Sequence, residues 1–285
     1  MGVLAEARSL LAERLGPVGR DLRVDRVVVG LFFTGVRLSD GSGGVCYTPV
    51  KDIPQAVCCP TSAGRTFDPV RVRGMGVWEM LEALESREPI KTAVAIACLN
   101  ALSASWWARA ADLPYEIETG RDAQDAIPMP PEASVAVVGA FVPVLRRLKE
   151  RGGTWWVVEQ DPRTLKPDEL PHYVPAAEAG AVLGRADVLV VTGVTLVNHT
   201  LEAILAAAKR GAEIAVMGPT ASMVPDPLFA RGVRVVGGVW VRRADELLDV
   251  LAAGGSGYHF FDTLADRIVI RRPGGFPSSL TPPGS

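Results

Sequence analysis

The sequence has 285 residues, of which 48% are hydrophobic and 22% are charged, and its formal net charge is -2. This length suffices for two ordinary domains, and the composition is that of a globular protein. The small net charge provides no electrostatic surface for nucleic acid, so we expect no nucleic-acid partner. Since no uninterrupted apolar run reaches about 18 residues, we also expect no membrane-spanning segment.

The N-terminal segment "MGVLAEARSLLAERLG" predicts an amphipathic helix. Leu4, Ala7, Leu11 and Leu15 recur at helical spacing and would form one apolar face. Glu6 stands where a signal peptide needs an apolar core. We therefore expect a cytoplasmic protein.

The rest of the first half predicts a small α+β domain over residues 1–111. The stretch "VDRVVVGLFFTGVRLSDGSGGVCYTPV" has two β-rich runs that flank the turn-forming residues 39–44, which is typical of a hairpin. Two helical patterns follow, "GVWEMLEALES" and the long apolar segment "IKTAVAIACLNALSASWWARA", which should be buried. Residues 112–133 are polar and contain prolines, and they are predicted to form a linker.

The second half alternates short apolar runs with helical patterns. The predicted strands are "SVAVVG" (134–139), "WWVVE" (155–159), "DVLVV" (187–191), "EIAVM" (213–217), "VRVVGG" (233–238) and "RIVI" (267–270). This alternation predicts a doubly wound, Rossmann-like parallel sheet over residues 134–272. Residues 273–285 are rich in Pro, Gly and Ser and are predicted to be a disordered tail.

A dinucleotide fingerprint is incomplete in this sequence. Gly139 ends the first predicted strand of the sheet, and Glu159 ends the second at the position of a ribose-binding acid. The turn after Gly139 lacks the second and third glycines and instead contains Phe141 and Pro143, where backbone amides would have to approach a pyrophosphate. We therefore do not expect NAD, whereas an altered nucleotide or S-adenosylmethionine site stays open.

The loops after the third and fourth predicted strands of the sheet are richer in small polar residues. Ligands of such sheets bind beyond the carboxyl ends of the strands. One alternative is that Thr195 or Asn198 only caps the following helix. The other is a ligand site in which the open amides of that helix receive an anion or carboxylate. The candidate residues are Thr192, Gly193, Thr195, Asn198, Thr200, Gly218, Pro219 and Thr220.

Asn100 and His199 are further candidates. Asn100 interrupts an apolar helix, so its amide must find partners, either in the local backbone or in a cleft between the domains. His199 is one of three histidines and suits either a metal or acid–base role or an ordinary surface position.

The four cysteines are Cys46, Cys58, Cys59 and Cys98, and none forms a Cys-x-x-Cys pair, which argues against structural zinc. Adjacent Cys58 and Cys59 suit either a soft metal or the role of ordinary reduced thiols.

Several segments together resemble the heavy-metal-chelation domain family of bacterial and archaeal proteins. They include "VGLFFTGVRL…GGVCYTP", "AIACLNAL", "VVGAFVPVLRRLKERG" and, most specifically, "VTGVTLVNHT" with "MGPTASM". The resemblance extends from Val24 to Ile270. It implies an enolase-N-terminal-like domain followed by a Rossmann-like domain, with the site in the cleft between them. It also implies a glycine at the position of His199 in many relatives.

Two functional hypotheses follow. In the first, the protein binds a small anionic ligand, a metal or a metal chelate in the interdomain cleft. Asn100 would reach in from the first domain, and Cys58, Cys59 and His199, with Glu159 and Asp161 as further candidates, would supply metal ligands if they converge. In the second, the protein is an enzyme that acts on a small carboxylate-bearing metabolite with a nucleotide or adenosyl-type cofactor at Gly139 and Glu159.

The sequence contains no recognisable nucleophile–base pair, so whether a reaction is catalysed stays open. A scaffold with a vestigial cleft is a third alternative. Trp106 and Trp107 either pack the two domains together or stack on a ligand. The apolar helix that carries them also suggests a homodimer surface.

Overall fold

The computed structural model describes residues 1–52 and 68–273 of the chain. Cys58 and Cys59, and residues 274–285 of the predicted tail, lie outside the described residues.

The helices of the described chain are α1 (Val3–Asp21, interrupted at Gly16), α2 (Pro69–Val72), α3 (Val77–Met80), α4 (Pro89–Trp107), α5 (Val142–Arg151), α6 (Gly180–Leu183), α7 (Val194–Val197), α8 (Leu201–Ala207), α9 (Asp226–Ala230) and α10 (Ala244–Ala252). The strands are β1 (Val24–Val29), β2 (Phe33–Leu38), β3 (Gly43–Tyr47), β4 (Glu116–Thr119), β5 (Val135–Val138), β6 (Trp155–Glu159), β7 (Tyr173–Pro175), β8 (Val188–Thr192), β9 (Glu213–Met217), β10 (Val233–Val241) and β11 (Ala265–Arg271).

The first half of the chain forms a three-stranded antiparallel sheet in the order β1-β2-β3. The predicted hairpin is present between β2 and β3, whose register pairs Arg37 with Gly43. The turn is stabilised by the Asp40 carboxylate, which accepts a hydrogen bond from the Ser42 amide, and by Gly41 at a φ of 87°. The turn residues therefore set the register of this small sheet.

The second half forms most of an eight-stranded sheet in the order β4-β11-β10-β9-β8-β5-β6-β7. The six strands from β10 to β7 are parallel, and their order is that of a Rossmann fold, in which the first and fourth strands lie side by side. Strands β11 and β4 complete the sheet with antiparallel pairings. The predicted α/β fold class, an α+β first part followed by a Rossmann-like sheet, is confirmed.

Two strands of the large sheet were not predicted from the sequence. Strand β4 lies within residues 112–133, the segment predicted as a linker, and β7 is a three-residue strand at the opposite edge. Edge strands need not carry a continuous apolar run, because one side of each pairs with no strand and faces out of the sheet. The same segment also buries Ala123, Ala126 and Ile127 in the core. The division of the chain into two domains stays a prediction.

Helix α4 lies between the two sheets. All its residues except Pro89 and Lys91 are buried, and it packs against β2 and β3 as well as against α7 and the loop after β9. One continuous apolar core therefore joins the first half to one face of the large sheet. The opposite face is covered by α5, which contributes Val144, Leu145 and Leu148 to a second core. No helix of the described chain is long and apolar enough to cross a membrane.

The two tryptophans at the end of α4 are buried within the chain. Trp107 is 4% exposed and packs edge-on against Trp240 of β10 at 5.4 Å between ring centroids. Trp106 is 9% exposed and packs against Tyr115. Trp107 therefore packs the first half of the chain against the second, as expected. The homodimer stays a prediction.

We predict that Gly44→Ala will strongly destabilise the fold. A Cβ on Gly44 of β3 would lie 2.2 Å from the Ala97 carbonyl oxygen and 2.3 Å from the Ala101 nitrogen, both in the backbone of α4, so neither side can yield cheaply. Urea unfolding should show a loss of about 3 kcal/mol or more in the free energy of unfolding.

The matched control is Gly180→Ala, because a Cβ there meets nothing within 4 Å. This variant should change the free energy of unfolding by less than about 1 kcal/mol. If the free energy of unfolding of Gly44→Ala equalled that of the wild type, α4 would not approach β3 this closely.

Candidate functional site

The carboxyl ends of β5 and β8 meet at the point where the strand order of the large sheet reverses. Chains leave these neighbouring strands in opposite directions, which opens a crevice in folds of this type. Gly139 follows β5 with a φ of 98°, and a Cβ on it would lie 3.0 Å from Thr192 Cγ2 at the end of β8. Two residues predicted from the sequence, Gly139 and Thr192, are therefore in direct contact at the reversal point.

Glu159 lies at the end of β6, beside this point, but its carboxylate is already occupied. One oxygen accepts a hydrogen bond from the Ala140 amide at 3.1 Å and the other accepts from the Gln160 amide at 2.8 Å. In a dinucleotide site the acid at this position binds a ribose and the turn amides face a pyrophosphate. Here the carboxylate of Glu159 instead accepts a hydrogen bond from a turn amide, that of Ala140, so Glu159 links the end of β6 to the turn after β5.

The residues directly after β8 also form hydrogen bonds with one another. The buried hydroxyl of Thr195 donates to the Thr192 carbonyl at 2.6 Å, and Thr192 Oγ1 accepts from the Val194 amide at 3.3 Å. Gly193 packs under the next loop, since a Cβ on it would lie 3.1 Å from the Ala221 nitrogen. Thr192, Gly193 and Thr195 thus shape the carboxyl edge of the sheet through local bonds.

Asn198, His199 and Thr200 lie between the short helix α7 and the predicted helix, which is α8 in the structure. Helix α7 is a single turn. His199 adopts a left-handed backbone conformation with a φ of 56°, and α8 begins two residues later at Leu201. Asn198 Oδ1 accepts bonds from the amide and hydroxyl of Thr200, so this side chain caps the break. The helix predicted after these polar residues is present as α8, and whether its amides bind a ligand stays a prediction.

His199 lies near the start of α4. Its Nε2 is 3.3 Å from the carbonyl oxygen of Ser86, three residues before that helix begins. Asn100 lies eleven residues after Pro89, which corresponds to roughly 16 Å of helix. The structure therefore does not bring His199 close to Asn100.

Asn100 joins the two halves of the protein beneath the loop after β9. Its Nδ2 lies within hydrogen-bonding distance of three carbonyl oxygens, those of Val45 at 2.8 Å, Thr220 at 3.1 Å and Pro219 at 3.3 Å. Close by, the Tyr47 amide donates to Thr220 Oγ1 at 3.0 Å. Within the described residues, the buried Asn100 Oδ1 has no hydrogen-bond partner. Asn100 therefore bonds neither to its own helix nor to open solvent, but clamps β3 to the Gly218–Thr220 loop.

An ion pair that sequence reasoning did not predict crosses from the first half to the same edge. Lys51, just after β3, lies 3.3 Å from Asp161, which follows β6. Arg163 also binds this carboxylate at 2.9 Å, and these bonds, Arg163 first and then Lys51, hold the pKa of Asp161 well below its usual value. A surface lysine carries no sequence signal, so only the fold reveals its position.

The described residues contain no group of three or more His, Cys, Asp or Glu side chains that could hold a metal ion. Cys46 and Cys98 are fully buried, and burial raises the pKa of both thiols, so they stay protonated and unsuited to bind a soft metal. Cys58 and Cys59 lie outside the described residues.

We predict that Asn100→Asp will make the stability of the protein strongly dependent on pH. A carboxylate would face three carbonyl oxygens, so its pKa in the folded state should lie above the unfolded value of about 3.9. The folded state then holds the proton more tightly, and stability should fall as the pH rises from 4 to 7, by about 3 kcal/mol or more relative to the wild type.

Asn198→Asp is the matched control, because Asn198 is exposed and uses only its oxygen, which a carboxylate also provides. Its stability should stay within about 0.5 kcal/mol of the wild type at both pH values. Equal pH profiles for the two variants would contradict the assigned role of Asn100.

Solved structures with a similar fold include two proteins of the DUF364 family. A DUF364-family protein of unknown function from Pyrococcus horikoshii has a TM-score of 0.75 and 21% identity, over 95% of this chain and 100% of that chain. A second DUF364-family protein of unknown function, from Desulfitobacterium hafniense, has a TM-score of 0.69 and 18% identity, over 94% of this chain and 98% of that chain. No curated protein sequence matches this chain significantly.

Two family profiles match the sequence, and both carry the description "Putative heavy-metal chelation". DUF4213 matches residues 12–103, which contain the small sheet and most of α4. DUF364 matches residues 122–270, which contain the Rossmann-like strands and cover more than half of the chain. The chain therefore belongs to the DUF364 family, which is described by the words "Putative heavy-metal chelation".

Proposed function

We propose that this protein binds a small anionic ligand, such as a metal chelate, at the carboxyl edge of the large sheet, in the cleft between its two halves. The observation that carries the proposal is the contact of Gly139 with Thr192 where the strand order reverses, beside the Gly218–Thr220 loop. Ligands of parallel sheets bind at this point irrespective of their chemistry. The cytoplasmic location expected from the sequence is part of this proposal.

The first half of the chain forms the other wall of the proposed cleft. Tyr47 contacts Thr220 through a backbone amide, and Lys51 reaches Asp161 with an exposed ammonium group. An exposed ion pair of this kind contributes little stability, so a ligand carboxylate can take the place of Asp161 on Lys51 at small cost. This supports a ligand with negative charge.

The polar groups at this edge favour a complete chelate over a bare metal ion. Glu159 and Asp161 are bound by backbone amides and basic side chains, and the described residues contain no metal-ligand cluster. A metal that arrives within an organic chelate brings its own ligands and presents carboxylate oxygens to the protein. This reading agrees with the family description of heavy-metal chelation.

Native mass spectrometry with elemental analysis of the purified protein tests the proposal directly. A stoichiometric metal with an organic adduct supports it. A nucleotide or adenosyl adduct without metal would instead favour the alternative enzyme, with its cofactor beside Gly139.

We predict that Lys51→Gln will weaken binding of zinc citrate. Loss of one exposed cation should reduce the affinity about fivefold in isothermal titration calorimetry, and the difference should shrink at high salt. Citrate alone and Zn²⁺ alone serve as comparison probes, and Zn²⁺ alone should bind more weakly than the chelate.

Lys209→Gln is the matched control. Lys209 is also exposed and paired with one aspartate, Asp187, but this pair lies at the amino end of β8, at the far side of the sheet. It should leave the zinc citrate affinity unchanged. Equal losses in both variants, or no saturable binding of either citrate probe by the wild type, would overturn the proposal.

A further inference from the structure

A second recess lies on the other face of the large sheet, away from Asn100. It is a cavity of about 190 Å³ beyond the end of β9 and beside the middle of β10, bordered by the start of α5. Met217 faces this cavity and belongs to the core under α5, whereas its neighbour Val216 belongs to the core that contains α4. The cavity is therefore separate from the proposed cleft, although the Gly218–Pro219 loop borders it.

We propose that this cavity binds a compact aromatic carboxylate, that is, one ring with a single anionic substituent. Its volume indicates the size of the group that it can enclose. An apolar cavity of about 150 Å³ accommodates benzene, and sites for drug-sized molecules start at about 300 Å³. The volume of 190 Å³ therefore fits one ring with a short substituent and is too small for a dinucleotide.

The interior of the cavity suits an aromatic ring. Phe141, Val144, Met217 and Phe261 line it with apolar surface. Aromatic rings pack well against the edges and faces of phenylalanines and against a methionine sulfur. Gly218 contributes bare backbone, and a Cβ on it would meet nothing within 4 Å, so this wall is open to a ligand.

The polar rim indicates a carboxylate on that ring. Arg267 is held by two aspartates, with 2.9 Å to Asp122 and 2.6 Å to Asp262, so its charge is more than compensated and it is not the ligand's partner. Arg121 has one carboxylate partner, Glu118 at 3.1 Å, and also donates to the Asp125 carbonyl at 3.1 Å; both side chains of the ion pair are more than one third exposed. A ligand carboxylate can displace such a pair at small cost and accept two hydrogen bonds from a guanidinium.

Gln124 adds a donor to the rim. Its side-chain amide forms no hydrogen bond with any other described residue and lines the cavity. Arg121 and Gln124 together can therefore bind a carboxylate while the ring lies against Met217 and the phenylalanines. This arrangement depends on neither Lys51 nor the proposed cleft.

Benzoate is the probe for this site, with benzyl alcohol as its uncharged counterpart. Titration calorimetry of the full chain should give one benzoate site, with a dissociation constant between about 1 μM and 1 mM for a ligand of this size. In protein with ¹³C-methyl methionine, benzoate should shift the Met217 signal. Arg121→Gln should weaken benzoate binding about fivefold and leave benzyl alcohol binding unchanged.

Filling the cavity tests its location. Val144→Phe should weaken the binding of both probes about tenfold or more, because the new ring occupies the ligand volume. Val142→Phe is the matched control, since Val142 lies on the same helix, is 56% exposed and does not line the cavity. Should Val144→Phe fail to fold, Val144→Leu fills less of the cavity and should weaken binding by a smaller factor.

Three results would overturn the inference. They are the absence of saturable benzoate binding by the wild type, equal benzoate affinities in the cavity-filling and control variants, and an unchanged Met217 methyl signal at saturation. None of them bears on zinc citrate binding, because Lys51 and the proposed cleft lie on the other side of the Gly218–Pro219 loop.

Discussion

The fold depends on the burial of α4 between two sheets. This helix is apolar on all sides, so it is stable only where both of its faces are covered. The small sheet covers one face through β2 and β3, and the Rossmann-like sheet covers the other through the apolar core it shares with the first half. Each large side chain that it buries contributes about 1.5–3 kcal/mol. The two halves of the chain therefore stabilise each other through this helix.

Close approach at α4 also determines where polar groups can lie. Gly44 lets β3 approach the backbone of the helix, which places the Val45 carbonyl next to Asn100. One amide group then bonds to carbonyls of β3 and of the loop after β9. A buried amide costs free energy unless its hydrogen bonds are made, so Asn100 fixes the relative position of these two elements. The geometry of the carboxyl edge follows from this clamp.

The carboxyl edge of the large sheet is polar, yet much of its polarity is satisfied within the chain. Glu159 binds turn amides, Thr195 binds the end of β8, and Asn198 caps a break between two short helices. A ligand there would be recognised mainly through the shape of the crevice and the few charged groups on its rim. Such a surface suits a ligand that brings its own metal coordination, which reconciles the family description with the scarcity of metal ligands in the described chain.

The Gly218–Pro219 loop has a different neighbour on each face of the sheet. The Pro219 carbonyl accepts a bond from Asn100 on one side, whereas the proline lines the cavity under α5 on the other. Gly218 has a φ of 116°, a conformation that is essentially restricted to glycine at this ψ of 161°. This short loop therefore borders two recesses, and their chemistry differs because the residues around each one differ.

The sequence by itself determined the elements whose signal is local. Short apolar runs between helical patterns predicted six strands of the large sheet, because a strand buried on both faces is apolar along its whole length. These strands are β5, β6, β8, β9, β10 and β11. The turn residues 39–44 predicted the β2–β3 hairpin, and the apolar character of α4 predicted its burial. The missing glycines after Gly139 predict that this turn does not bind a pyrophosphate, and the fold adds a hydrogen bond from the Ala140 amide to Glu159.

Only the tertiary structure decided what depends on contacts between distant residues. Strand β4 was hidden because an edge strand pairs through its backbone and can remain polar. The single-turn helix α7 and the left-handed conformation of His199, which lie between β8 and the predicted helix α8, had no signal in the periodicity. The positions of Lys51 beside Asp161 and of Arg121 beside Phe141 arise from long-range packing. Which polar residues converge, and which merely cap, is therefore a property of the assembled sheets.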